Sequence, residues 1–99
     1  MEDSIQKNTI LDYLQTHKDE FKEKFQVEQI GLFGSFARDE ANEESDIDIF
    51  VNMKPNLFML VGLKEKIEND LHKKVDVLAK HKHIKPFLIE MINRDIVYV

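Results

Sequence analysis

Residues 34–51 read GSFARDEANEESDIDIFV, and the way this stretch divides decides the fold. It follows a short apolar run, Val27 to Phe33, which predicts a strand. That strand ends at Gly34-Ser35, where glycine permits a tight turn that a residue with a Cβ would resist. Phe36 to Arg38 predicts a short helical turn and Asp39 to Ser45 a polar loop. Asp46 to Asn52 then alternates as a second strand should. Ile47, Ile49 and Val51 take one face; Asp46, Asp48 and Phe50 take the other.

Outward from this centre the chain predicts helices and two more strands. A first helix is expected from about Ser4 to Lys24, capped by Asp3 or Ser4, with Gln6 in capping-box position after Asp3. Its apolar stripe would carry Leu11, Leu14, Phe21 and Phe25, with the stem of Lys18 laid along it. Beyond Pro55, Asn56 can cap a second helix bearing Leu57, Leu60, Ile67 and Leu71 on one side. Lys74 to Leu78 predicts a third strand, with Val75 and Val77 on one face and Asp76 on the other. Ile84, Phe87, Leu88, Met91 and Ile92 form the strongest helical stripe, with Pro86 tolerated in the first turn. The Phe and Met side chains at helical spacing are expected in the core. Ile96 to Val99 closes the order as a short strand. Four strands and interleaved helices predict an α/β (α+β) fold, a small sheet flanked by helices.

Ninety-nine residues suit one compact domain, here expected to span 1–99, and no internal repeat or linker divides them. The absence of cysteine excludes disulfides, thiolate zinc sites and thiol catalysis. The acidic, polar start is unlike a signal peptide, and no apolar run approaches the roughly 18 residues of a membrane span, so the cytoplasm is the expected location. A net charge of −5 argues against direct nucleic-acid binding, which needs cations to neutralise phosphates. The charges are segregated. Acids crowd from Asp39 to Asp48, while Lys73, Lys74, Lys80, Lys82 and Lys85 crowd towards the C-terminus. Such runs commonly mark solvated faces.

Part of the acidic run has a chemical reading. Asp46 and Asp48 are two apart on a strand, so their carboxylates leave from one face. Like charges held together are costly unless a cation lies between them or one is protonated. Oxygen ligands of this kind suit Mg2+. If the second and third strands are neighbours, Asp76 joins the cluster, and three carboxylates are what a two-metal phosphoryl-type transfer needs. Backbone amides and the hydroxyl of Gly34-Ser35 can receive phosphate oxygens. Taken singly, each feature has a plain reading: an exposed Asp-x-Asp, a common turn, a surface Arg38. Together they make a coherent site.

Gly34-Ser35, ten residues, then Asp46-Ile47-Asp48 resembles the GS-x10-DxD motif of the DNA polymerase β-type nucleotidyltransferases. The surrounding residues are most similar to the minimal nucleotidyltransferase branch, and the resemblance runs from Ile30 to Val99. It implies the nucleotidyltransferase fold with a small mixed sheet. It also implies roles. Asp46 and Asp48 would bind Mg2+, two ions in all, and Asp76 would complete the metal site or assist deprotonation of the acceptor. Ser35 and the Gly34 turn would contact the β- and γ-phosphates of a nucleoside triphosphate, with Arg38 as a further phosphate partner. Many relatives carry glycine where this chain has Asp39, a residue that tolerates a left-handed backbone better than most.

The same resemblance implies a partner. Minimal nucleotidyltransferases are commonly antitoxins encoded beside HEPN-domain toxins, and they resemble enzymes that place AMP from ATP on a toxin tyrosine. Two other readings stay open: an antitoxin that neutralises by binding alone, and an aminoglycoside-type transferase acting on a small molecule, for which a homodimer would supply the missing wall. His81-Lys82-His83 lacks an acidic or Cys partner at metal-ligand spacing and reads as a solvated loop, and His17 and His72 read as surface residues.

Overall fold

Seven elements follow one another in the order the sequence predicts, and the computed structural model describes them over residues 5–99. They are α1 (Lys7–Phe25), β1 (Val27–Phe33), β2 (Ile47–Met53), α2 (Leu57–Leu71), β3 (Val75–Ala79), α3 (Pro86–Asp95) and β4 (Val97–Tyr98). The strands form one mixed sheet in the order β3-β2-β1-β4. Strand β1 is antiparallel to both β2 and β4, and β2 runs parallel to β3 across the α2 crossover. The expected small mixed sheet flanked by helices is the observed architecture.

One sheet face carries Ile30, Leu32, Ile47, Ile49, Val51 and Val75, all buried under α1 and α2. From α2 the inserted residues are Leu63, Ile67 and Leu71. Leu57, expected on that side, instead lies in the first turn and is 74% exposed. Asn56 caps this helix as expected, its side-chain oxygen accepting from the Met59 amide at 3.1 Å. The opposite sheet face holds a smaller cluster in which Phe50, Ile84 and Ile92 are buried, with Phe33, Leu78 and Leu88 packed against them. Helix α3 therefore covers part of the face that bears Asp48, leaving the end nearest that carboxylate open. The face of α3 turned to the sheet is the narrow one carrying Leu88 and Ile92, so Phe87 and Met91, one residue round the helix from it, are exposed rather than in the core. Pro86 stands at the start of the helix, where its missing N–H goes unneeded.

Helix α1 starts later and is rotated relative to expectation. Residues Ile5 and Gln6 precede it, and Gln6 occupies the N-cap position without a side-chain cap. The expected cap at Asp3 or Ser4 lies outside the described residues. The buried stripe is Ile10, Leu14 and Phe21, whereas Lys18 is exposed and Leu11 only half-buried. His17 is no plain surface residue. Its ring stacks between Tyr13 and Phe21, at 4.2 and 5.7 Å between centroids, and Nδ1 lies 2.9 Å from the Tyr13 carbonyl. The imidazole fills the place expected for the Lys18 stem.

Candidate active site

The carboxylate end of the sheet is built by two backbone constraints. Strand β1 stops at Phe33, which pairs with Asp48, and Gly34 then turns away with φ +79°. A Cβ at Gly34 would overlap the Asp48 carboxylate and lie 3.1 Å from the Asp48 Cβ. Glycine is needed here both for the left-handed backbone and for the close approach. The turn and Asp48 are thereby held in contact.

After Gly34 the chain makes one helical turn, as expected from Phe36 to Arg38, with Arg38 N donating to Gly34 O at 3.2 Å. It ends in a paired-carbonyl stop: Glu40 N donates to Ser35 O at 2.9 Å and Asp39 N to Phe36 O at 3.2 Å. Asp39 takes the left-handed position, φ 59°, where the resemblance implies glycine. Its carboxylate faces outward to Lys7 at 3.8 Å, away from the turn. At the front of the turn, the amides of Ser35, Phe36 and Ala37 donate to no backbone carbonyl among the described residues. Unpaired amides at the start of a turn form a ready anion cradle.

Strands β2 and β3 bring the second constraint. Their parallel register sets Asp48 directly beside Asp76. Asp46 lies just ahead of β2, not within the ladder as expected, and β3 starts at Val75, one residue later than expected. Asp48 is half-buried and Asp76 exposed. Burial first, then the Asp76 and Asp46 carboxylates, raise the Asp48 pKa above the usual carboxylate value, and Arg38 partly offsets this. The Asp76 and Asp46 carboxylates thus both bear on the charge of Asp48.

Glu68 secures β3 to α2. Its Oε2 accepts from the Val75 amide at 2.9 Å, and that amide contact foremost, with Lys64 at 3.5 Å, lowers the Glu68 pKa. The carboxylate therefore pins the residue preceding Asp76. Arg38 is held by two acids: Nε donates to Glu40 at 3.0 Å and Nη1 to Asp95, at the end of α3, also at 3.0 Å. Sequence reasoning found Arg38 but missed Glu68, Glu40 and Asp95. Glu68 serves a backbone amide, and Asp95 is 57 residues from Arg38, so no local spacing announced either.

The donor chemistry fits a hard divalent cation. Among the described residues no lysine lies within ion-pair distance of Asp46, Asp48 or Asp76, and burial and the neighbouring carboxylates already weigh against the charge of Asp48. No three His, Asp or Glu side chains among the described residues close into a metal-binding group as they lie. Mg2+ asks for less than that, taking one or two carboxylates and completing its shell with water and phosphate oxygens. His81 and His83 turn on each other, the His83 amide donating to His81 Nδ1 at 3.1 Å, in an exposed loop as expected. A cleft of about 1030 Å3 lies elsewhere, between the start of α1, Ala41–Glu43 and the end of α2. None of Ser35, Asp46, Asp48 or Asp76 lines it. No described helix is long and apolar enough to cross a membrane.

Residues 14–99 match the nucleotidyltransferase domain family. The protein adenylyltransferase MntA of Thermococcus cleftensis is 40% identical, across 87% of this chain and 88% of that protein. Among solved structures, a minimal nucleotidyltransferase superposes with a TM-score of 0.79 at 24% identity, covering 97% and 98% of the two chains. A toxin–antitoxin structure with AMP-PNP gives 0.68 at 22% identity, covering 95% of this chain and 72% of the other. A Shewanella oneidensis complex of a tri-AMPylated HEPN toxin with its MNT antitoxin gives 0.58 at 21%, covering 93% and 66%.

Proposed function

The chain belongs to the nucleotidyltransferase domain family, alongside protein adenylyltransferases of the MntA type, and from that premise we propose that it transfers AMP from ATP to a hydroxyl of a partner HEPN toxin and so acts as its antitoxin. The observation that carries this reading is the juxtaposition of Asp48 with Asp76 on one side and the Gly34 turn on the other. It supplies a carboxylate cluster and a phosphate cradle in direct contact. The AMPylated HEPN toxin of the Shewanella complex supports a toxin acceptor, and the residue modified is proposed to be a tyrosine. The whole chain, 1–99, is read as a single minimal nucleotidyltransferase domain in the cytoplasm.

In this reading the amides of the turn and the Ser35 hydroxyl bind the β- and γ-phosphates of ATP. Arg38 leaves Glu40 or Asp95 to add a charge-assisted bond to the same phosphates. Asp46, Asp48 and Asp76 would hold Mg2+, which when bound would neutralise charge on the phosphates. The acceptor oxygen forms a bond to the α-phosphorus as the bond to the β-phosphate bridging oxygen breaks and pyrophosphate leaves. Asp76, the exposed member of the cluster, takes the acceptor proton. The chain works by positioning and by fixed charge, with no covalent intermediate on the protein.

The test is incubation with ATP labelled at the α-phosphate, Mg2+ and the HEPN protein encoded beside this chain, in parallel with Asp48→Ala. Label on the partner that vanishes in the variant is the expected result. A tight complex that never acquires label, formed equally by Asp48→Ala, would sink the transfer reading and leave an antitoxin that acts by binding.

A further inference from the structure

The end of the sheet remote from the carboxylates has its own character. Segments 49–64 and 77–89 contain no Asp or Glu, although the chain as a whole has a net charge of −5. The fold sets these segments side by side. Val51 is in register with Ala79, and Lys80 N donates to Val51 O at 2.8 Å, so the chain leaves β2 and β3 at the same place. Lys54, Lys80, Lys82 and Lys85 are exposed there, and no described carboxylate is within ion-pair distance of them. Helices α2 and α3 both begin at this end, each without an acid in its first turn, which adds the positive ends of two helix dipoles.

Among these charges opens an apolar cleft of about 370 Å3, lined by Met53, Pro55, Leu57, Leu60 and Ala79, with Lys54 and Lys80 at its edge. Beside it Phe58 is 91% exposed, and Phe87, on the first turn of α3, is 72% exposed. An apolar centre rimmed by unpaired charges of one sign is the anatomy of a protein interface. The sign selects a complementary partner.

We propose that this end is a docking surface for an acidic protein segment that seats an aliphatic or aromatic side chain in the cleft while its carboxylates meet Lys54, Lys80, Lys82 and Lys85. A single-stranded nucleic acid is a poorer match, because the cleft is aliphatic rather than a row of stacking rings and the chain is acidic overall. An anionic membrane is likewise a poorer match for a chain of net charge −5. The surface is independent of the proposed AMP transfer: it lies at the C-terminal ends of β2 and β3, whereas Asp48 and Asp76 lie near their N-terminal ends.

The test uses the full chain and four fluorescent probes: a short amphipathic peptide with Leu and Phe at helical spacing flanked by Glu, its Lys-for-Glu counterpart, oligo-dT of similar length, and phosphatidylserine-containing vesicles. Binding is read by anisotropy at low and raised salt. The acidic peptide is expected to bind and to weaken with salt. Lys80→Glu/Lys82→Glu and, separately, Phe58→Ser should each weaken it by about tenfold, as loss of a complementary charge or a buried anchor does. Arg94→Glu, at the other end of α3, should leave it unchanged, and circular dichroism confirms that each variant is folded. The proposal is overturned by oligo-dT or vesicles binding in place of the peptide with the same sensitivity, by peptide binding indifferent to both variants, or by no probe binding. Self-association of the chain abolished by Lys80→Glu/Lys82→Glu would overturn it too, in favour of a second copy as occupant.

Discussion

Asp48 concentrates the electrostatic cost of the site. Burial and then Asp76 and Asp46 raise its pKa in the folded chain above that of the unfolded chain. The folded state therefore holds this proton more tightly, and the stability linked to it is full below the unfolded pKa and lost as pH rises through the folded value. Asp48→Asn removes that loss. Thermal melts of the metal-free proteins should show the variant melting above wild type at neutral pH, with the gap closing as both are taken below the carboxylate range. Equal melting at pH 7 would contradict this. Asp39 poses the opposite question, a residue in a strained backbone with no buried partner. Asp39→Gly relieves about 1 kcal/mol of left-handed strain and gives back about half of it to the freer unfolded chain. The ion pair to Lys7, at 3.8 Å between partly exposed groups, contributes little. The urea midpoint should rise, by an amount equivalent to about 0.5 kcal/mol. Asp39 was recognised from sequence as a departure, and its tolerance of the left-handed region was legible because that preference belongs to the residue itself.

At the scale of elements, the site depends on how β3 is tied to its neighbours. The Lys74 carbonyl accepts from Ile47 N at 3.0 Å, and Glu68 accepts from Val75 N at 2.9 Å, so sheet and helix together fix the register beside Asp76. The Val75 amide foremost lowers the folded pKa of Glu68. Its contribution is thus present above the unfolded pKa and lost as pH falls through the folded one. Glu68→Gln should lower the melting temperature at neutral pH, and the difference from wild type should shrink in acid. Amide exchange at Val75 should quicken in the variant, and unchanged protection there would show that the clamp is idle. None of this was legible beforehand. A glutamate on an amphipathic helix reads as solvated until the following strand is placed. The helix stripes were legible in period but not in width: Phe87 and Met91 fit the spacing of α3, yet only the narrower face with Leu88 and Ile92 meets the sheet.

Across the whole molecule, pairing strength is uneven. Strand β2 is central and bonded on both sides, whereas β4 is paired at only two positions, Gly31 with Tyr98 and Leu32 with Val97. Native-state hydrogen exchange should therefore find Tyr98 opening well before Ile49 and Val51, since local opening follows the number of pairings and the burial lost. Comparable protection in β4 and β2 would refute that ordering. Charge is divided along the same axis, with aspartates at the β2 start and unpaired lysines at its end. The sequence by itself determined the order of the elements, the alternation that puts Asp48 opposite a fully buried face, and the glycine turn, because these follow from local periods of two and 3.6 residues and from the backbone freedom of one residue. Only the tertiary structure decided which strands are neighbours, and with them the Asp48–Asp76 register, the contact of Gly34 with Asp48, and the ties of Arg38 to Asp95 and Glu68 to Val75. Those are contacts between separate elements, set by packing rather than by local spacing.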